Sequence, residues 1–277
     1  MKERERAAPR VAASRYLNSA PLIWSFVRGG RLRQSVELLT DTAPARCAQM
    51  LARAEVEAAL VPVIEYQRIP EILVVPDVCV GARSRVRSVV LVTRREELKE
   101  VRSVSLDTSS RTSAALVRII FREFLGKNPE FKPGAPDLDL MLEESDAALV
   151  IGDPAMVFPR DNLRVYDLAS LWREHTGLGF VFAMWMARAD ARERVRKIDF
   201  AGARDEGLER VDEIVAHYEG LLGLPPSELR AYLLENISFE LDAEMRAGLS
   251  LFYELARRQE IISDVRPVRM IDAPGLG

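Results

Sequence analysis

The sequence predicts a two-lobed α/β fold with two crossover strands. Three observations support this. Short apolar runs alternate with helix-period segments up to about residue 190 of the 277. Two long apolar strands, at 87–94 and 180–188, bracket a middle block that has strand–helix units of its own. Beyond about residue 190 the periodicity is helical only. Strands alternating with helices argue for a mostly parallel sheet, and a helical tail that returns to the first lobe would make the two long strands the crossovers. The expected division is lobe 1, residues 8–93 with 190–277, and lobe 2, residues 94–189; a single large sheet is the competing architecture.

The elements follow from local chemistry. VAAS reads as a strand and PLIWSFVRGG as a helix, with proline at its first turn and glycine at its end. VELLTD is a strand, APARCAQMLARAEV a one-faced helix, and EAALVPVIEY a strand that turns at Pro62. ILVVPDVCVGA and RSVVLVTR are strands, and REELKEV is a short helix. VSLD (104–107) opens into TSSRTSAALVRIIFREFLG, the clearest helix, with Ala115, Leu116, Ile119, Ile120 and Phe124 as its apolar stripe. DAALVIGDPAM is strand then turn, VYDLASLWREHTG strand then helix, and FVFAMWMAR a long strand. The tail gives three helical stretches: DFAGARDEGLERVDEIVAHYEGLLG, PPSELRAYLLENI and DAEMRAGLSLFYELARRQE. No element is assigned between Gly126 and Asp146.

Composition narrows the class of function. The chain is 48% hydrophobic and 29% charged with a formal net charge of -3, so charge gives no sign of a nucleic-acid partner. No apolar run reaches the roughly 18 residues of a membrane span, and the charged start MKERERAAPR is no secretion signal; a cytoplasmic location is expected. Cys47 and Cys79 lack CxxC spacing and read as buried small apolar residues. His175 and His217 lie on different helices with no partner spacing, and no metal-ligand cluster, GxGxxG, Walker loop or GxSxG elbow occurs. Trp24, Trp172 and Trp185 read as packing residues.

Ligands of open α/β folds sit at strand C-termini, where helix N-termini present free N–H groups to anions. Three stretches fit. RYLNSAPL offers the Asn18 amide and Ser19 hydroxyl, although either side chain could simply cap the first helix. DTSSRTS (107–113) carries Thr108, Ser109, Ser110, Thr112 and Ser113 with Arg111, more hydroxyls than a cap requires. GDPA (152–155) places Asp153 before Pro154, which by itself reads as an ordinary cap. Glu65, Asp107 and Asp153 are the acids at strand ends. The residues alone therefore indicate a two-lobed protein that binds a small anion between its lobes.

RYLNSAPL, LVPVIEY, VRSVVLV, LDTSSRTSAAL, LVIGDPAM and WREHTGLGFVFAMW occur in this order. The series resembles the chorismate dehydratase (MqnA) family of the futalosine route to menaquinone, from about Val11 to Met270. The resemblance implies a type-2 periplasmic-binding-protein-like fold. It also implies elimination of water from chorismate, a dicarboxylate, to give 3-[(1-carboxyvinyl)oxy]benzoate without metal or redox cofactor. By the same resemblance Asn18 with Ser19 lies over the ring and its leaving hydroxyl. Ser88, Ser110, Arg111 and Thr112 hold carboxylates, and Asp153 joins the substrate site. Arg15 stands where the family has a smaller or uncharged polar residue, and no role carries over to it. The motifs offer no evident base, so the substrate's enolpyruvyl carboxylate is expected to take the proton, with Glu65, Asp107 or Asp153 as competing bases. A 1,4-dihydroxy-6-naphthoate synthase-type enzyme and a non-catalytic small-anion-binding protein are the alternatives; YLN-x-x-PL favours the dehydratase.

Overall fold

In the computed structural model, which describes residues 8–28 and 32–271, ten strands form two five-stranded sheets. The first contains β1 (Arg10–Ser14), β2 (Glu37–Asp41), β3 (Ala58–Pro62), β4 (Ile72–Ala82) and β10 (Phe180–Arg188), in the order β2-β1-β3-β10-β4. The second contains β5 (Val89–Thr93), β6 (Ser103–Asp107), β7 (Glu130–Gly134), β8 (Ala147–Ile151) and β9 (Arg164–Asp167), in the order β7-β6-β8-β5-β9. The helices are α1 (Ala20–Val27), α2 (Pro44–Ala52), α3 (Glu65–Arg68), α4 (Arg111–Ile119), α5 (Leu138–Glu144), α6 (Pro154–Val157) and α7 (Leu168–Thr176). The tail adds α8 (Arg192–Val195), α9 (Phe200–Glu209), α10 (Val211–Leu222), α11 (Pro226–Ala231) and α12 (Ala243–Arg258).

The two sheets share one plan. In each, three strands run parallel, and an antiparallel strand that has just crossed from the other sheet sits fourth: β5 against β8 and β9, β10 against β3 and β4. The expectation of two crossover strands holds, with a corrected assignment. β5 belongs to the second sheet and β10 to the first, so the chain changes sheets before residue 89 and again before residue 180, not at 93/94 and 189/190. Both are antiparallel to their neighbours, which the mostly parallel expectation missed; a strand entering from the far sheet arrives without the βαβ turn that enforces parallel pairing.

Both passages are held by hydrogen bonds. The Asp167 carboxylate accepts the backbone N–H groups of Val86 at 3.1 Å and Arg87 at 2.6 Å, and also caps α7 through Ala169 and Ser170. On the return, α7 ends in a left-handed Gly177, and the buried Trp172 indole donates to the Gly179 carbonyl at 3.1 Å.

One continuous apolar core runs through both sheets, and the alternation along β5 shows how it is built. Leu91 faces this core, while Val90 and Val92 join Met141, Leu142, Ala148 and Val150 in a smaller cluster on the outer face. The tail covers the first sheet, with α9 against α1 and β4 and α12 against β10. A Cβ on Gly207 would stand 1.9 Å from the Pro21 carbonyl oxygen, so α9 lies on α1 only because that position is glycine. Cys47 and Cys79 are buried free thiols, both pushed up to about 12 by burial. The three tryptophans are buried; His175 stacks on Phe124 and His217 tilts against Trp24. The unassigned stretch holds β7, an edge strand that tolerates Pro133, and α5, capped by Asp137. The Gly29–Gly30 expected to end α1 falls outside the described residues. Among these, no helix is long and apolar enough to cross a membrane.

Candidate active site

The C-terminal ends of β1, β3, β6 and β8 converge on a cavity of about 60 Å³ between the sheets. Its polar wall is made by Ser14, Asn18 and Ser19 from one side and Ser110, Thr112 and Ser113 from the other. Leu60, Val80, Val89, Ile151 and Phe182 supply the apolar floor, with Tyr16 and Gly152 at the seam. Among the described residues, no carboxylate, histidine, lysine or arginine side chain lines it.

Four helix starts elsewhere in the molecule are closed by side chains, while those of α2, α3, α8, α10 and α11 are not. Asp137, Asp167, Asp199 and Asp242 cap α5, α7, α9 and α12, each accepting a backbone N–H of its own first turn. Three more starts lie at or beside the cavity. Ser19 precedes α1, Ser110 precedes α4 and Asp153 precedes α6, and none makes a side-chain cap. These side chains therefore leave the first-turn N–H groups of α1 and α4 without a cap acceptor.

On the first side the Ser19 hydroxyl is 2.9 Å from that of Ser14 and donates to the Asn18 side-chain oxygen at 3.2 Å. Tyr232, fully buried, donates its phenol proton to the Ser88 hydroxyl at 2.7 Å. Ser88 is itself fully buried and does not line the cavity. Arg15 is exposed; only its backbone is engaged, its carbonyl accepting from the Tyr218 hydroxyl at 2.7 Å.

On the second side Ser110 and Ser113 are buried, 6% and 3% exposed, yet neither hydroxyl has a hydrogen-bond partner among the described residues. Thr112 accepts the Ile64 N–H at 3.2 Å and retains its own proton for donation. Arg111 departs from expectation: it lies outside the cavity, with its guanidinium 2.7 Å from the Glu65 carboxylate.

The acids at strand ends are all occupied. Glu65, 2% exposed, is paired with both Arg111 and Arg68. Asp107 accepts the Ser109 N–H and hydroxyl at 2.8 and 2.6 Å, and burial pushes its carboxyl up. Asp153 lies outside the cavity and crosses between the halves to accept the Leu17 N–H at 2.9 Å; burial pushes it up to about 6. The same seam carries Tyr16, raised to about 12 by burial and then by Asp107 and Asp153. A Cβ on Gly152 would stand 2.6 Å from the Tyr16 ring. The sequence reading passed over Tyr16 and Tyr232. Tyr16 lay inside a motif read for its amide, and Tyr232 lies in the helical tail, where nothing local separates it from packing.

A larger, open groove runs beside Arg95, Lys99, Arg102 and Lys127, at the opposite end of the second sheet where β6 and β7 begin. It lies at strand N-termini, away from the helix starts that collect at the cavity, and its lining is solvated charge. Among the described residues no group of three or more His, Cys, Asp or Glu side chains is placed to hold a metal ion.

Comparison with known proteins gives concordant results. A family model described as menaquinone biosynthesis matches residues 9–258. A chorismate dehydratase of Thermus thermophilus is 32% identical over 261 residues, covering 87% of this chain and 92% of that protein. Among solved structures, protein AF1704 of Archaeoglobus fulgidus superposes with a TM-score of 0.73 at 16% identity, over 92% of this chain and 98% of that one. The periplasmic aliphatic sulphonate binding protein SsuA of Escherichia coli gives 0.64 at 14% identity, over 98% and 95%. The fold is therefore of the periplasmic-binding-protein type.

Proposed function

The chain belongs to the menaquinone-biosynthesis family, and from that membership we propose that it is a chorismate dehydratase, a carbon–oxygen hydro-lyase forming 3-[(1-carboxyvinyl)oxy]benzoate. One observation carries the chemical reading: the cavity offers an amide, several hydroxyls and two uncapped helix starts, but no acid or base of its own. That set suits a dicarboxylate whose reaction needs orientation more than an enzymic base.

In this reading Ser110, Thr112 and Ser113, with the N-terminal N–H groups of α4, receive one carboxylate. Asn18 and Ser19 face the ring and the hydroxyl that departs. The C3 proton passes to the substrate's enolpyruvyl carboxylate, the C3–H electron pair becomes the new ring double bond, and the C4–O bond breaks. The departing hydroxide takes that same proton from the enolpyruvyl carboxyl and leaves as water, which restores the carboxylate, and the ring becomes aromatic. Holding the carboxylate against the C3 proton is worth far more than a dilute external base, and exclusion of water by the surrounding apolar walls strengthens each polar contact. Glu65, Asp107 and Asp153 are held by other partners and lie outside the cavity, which supports substrate-assisted proton removal over an enzymic carboxylate.

The test is direct. Purified protein mixed with chorismate is expected to produce the aromatic product, followed by absorbance, and Asn18→Ala to lose most of the turnover. Chorismate bound but unchanged would instead mark a non-catalytic anion-binding protein.

A further inference from the structure

A groove of about 300 Å³ runs along α4 and shares Ser110 with the cavity. Arg111, Ala114, Ala115 and Arg118, three and four residues apart on one face of the helix, line it, while Thr112 and Ser113 line the cavity. Arg68 of α3 and Ile261, which follows α12, come from the first half, and Leu106, Phe131 and Pro133 of β6 and β7 come from the second. Three guanidinium groups therefore surround an apolar surface. Arg68 and Arg111 share the one Glu65 carboxylate, each through Nη1, at 3.1 and 2.7 Å, and keep their Nε and Nη2 donors. Arg118 is half-buried and, among the described residues, makes no hydrogen bond or ion pair; its guanidinium lies 4.4 Å from the centre of the Phe131 ring. Charges withdrawn from water are ordinarily paired. The nearest charge to Arg118 over that ring is a second cation, Arg122, at 5.8 Å from the same centre. Burial and then Arg122 pull the Arg118 guanidinium below its ordinary range. Among the described residues Asp107 is the one acid in the lining, and the Ser109 N–H and hydroxyl occupy it.

We propose that this groove is a second ligand site, which takes a ring carboxylate: the carboxylate on Arg118 and the free donors of Arg68 and Arg111, the ring on Leu106, Phe131 and Pro133. The volume is at the lower end of the range for small-molecule pockets, whereas the cavity falls well below it. A guanidinium presents a fork of N–H donors that matches a carboxylate. Inorganic phosphate would use the guanidinium groups and leave the apolar surface uncovered; a purely apolar molecule would cover that surface and leave Arg118 without a counter-charge. Ser110 lines both spaces, so a ligand in the groove adjoins the cavity. Two sources share this chemistry: the substrate of the cavity, held outside it, and a separate ring carboxylate that acts as an effector.

The binding half of the test stands apart from the dehydratase reading; the turnover half rests on it. Benzoate is titrated into the protein by calorimetry, with inorganic phosphate as the ring-free comparison. Arg118→Met keeps the apolar stem and removes the charge, and is expected to weaken benzoate by about tenfold or more, the value of one hydrogen bond to a charged group. Its Tm is expected to equal or exceed that of wild type, since an unpaired cation beside Arg122 is gone; a structural role for Arg118 would lower it. Arg118→Lys keeps the charge without the fork and is expected to weaken benzoate by less, and it carries the test should Arg118→Met not fold. Ser113→Ala, which alters the cavity but not the groove, is expected to leave benzoate affinity unchanged. Benzoate affinity that is unchanged in the Arg118 variants, or that falls in Ser113→Ala instead, overturns the proposal, as does phosphate bound as tightly as benzoate. With chorismate as substrate, benzoate that raises KM in wild type but not in Arg118→Met identifies the substrate as the groove's ligand, and benzoate that changes kcat identifies a separate effector. If wild-type protein leaves chorismate intact, the dehydratase reading falls and calorimetry still decides whether the groove binds a ring carboxylate.

Discussion

The carboxylate of Glu65, at the start of α3 beside the first sheet, accepts from the Arg111 guanidinium of α4, beside the second sheet, at 2.7 Å. Arg68 closes on the other carboxylate oxygen at 3.1 Å. One buried acid thus ties the halves together and engages two residues named in the expected chemistry, Arg111 as a carboxylate ligand and Glu65 as a competing base.

Glu65→Gln is expected to destabilise the protein while sparing turnover. Breaking a buried pair costs several kcal/mol, but Arg111 and Arg68 are 33% and 38% exposed, so solvent recovers part of it and about 2 kcal/mol is expected. Urea denaturation measures the loss and the chorismate assay the turnover. Abolished turnover with retained binding would make Glu65 the base.

Ser110→Ala and Ser113→Ala are expected to leave stability within about 0.5 kcal/mol, because neither hydroxyl bonds to the protein. Each should raise KM by about 10- to 150-fold, the value of one hydrogen bond to a charged group. A stability loss near 1 kcal/mol with unchanged KM would return Ser110 to the status of an ordinary cap.

Asp153→Asn is expected to stabilise the protein in a pH-dependent way. Asn keeps an oxygen for the Leu17 N–H. A carboxyl raised from 3.8 to about 6 in the fold binds its proton more tightly folded than unfolded. Stability therefore falls as pH rises from about 4 through about 6, and the wild type carries a cost of about 3 kcal/mol at pH 8 and about half that at pH 5. Denaturation of both proteins at pH 5 and pH 8 should show the variant's advantage growing with pH. Turnover should persist, since Asp153 does not line the cavity; its loss with binding intact would identify Asp153 as the base.

Gly152→Ala is expected to wedge the seam. The added Cβ would stand 2.6 Å from the Tyr16 ring, and φ at Gly152 is +68°, a conformation that costs an L-residue about 1 kcal/mol or more. The ring must move, and with it the Asn18 loop. A rise in KM above tenfold is expected, with a larger radius of gyration in small-angle scattering. Unchanged values in both measurements would show that the seam plays no part in closing the cavity.

Much of this was legible locally. β5 and β10 announce themselves as unbroken apolar runs because each is covered on both faces. The hydroxyls of DTSSRTS exceed what one helix start can use, and Ser110 and Ser113 are the surplus. β7 escaped because an exposed edge strand with a proline has no apolar period, and the direction of β5 and β10 escaped because strand polarity is not a local property. For the candidate site, the residue types at 18, 19, 110, 112 and 113 were readable. Arg111 was not, since nothing in the string places Glu65 against it.

The sequence by itself determined the element types, the crossover plan and the strand ends where polar side chains collect, because each depends on hydrophobic period and helix-start chemistry within a few residues. Only the tertiary structure decided which polar groups were left over. Asp153 went to Leu17, Arg111 to Glu65, and Ser88 to Tyr232, while Ser110 and Ser113 found no partner. That allocation depends on contacts between residues tens to hundreds of positions apart, and buried polar groups must be paired wherever packing brings a partner. Of the hydroxyls that line the cavity, Ser110 and Ser113 are the ones packing leaves unpaired.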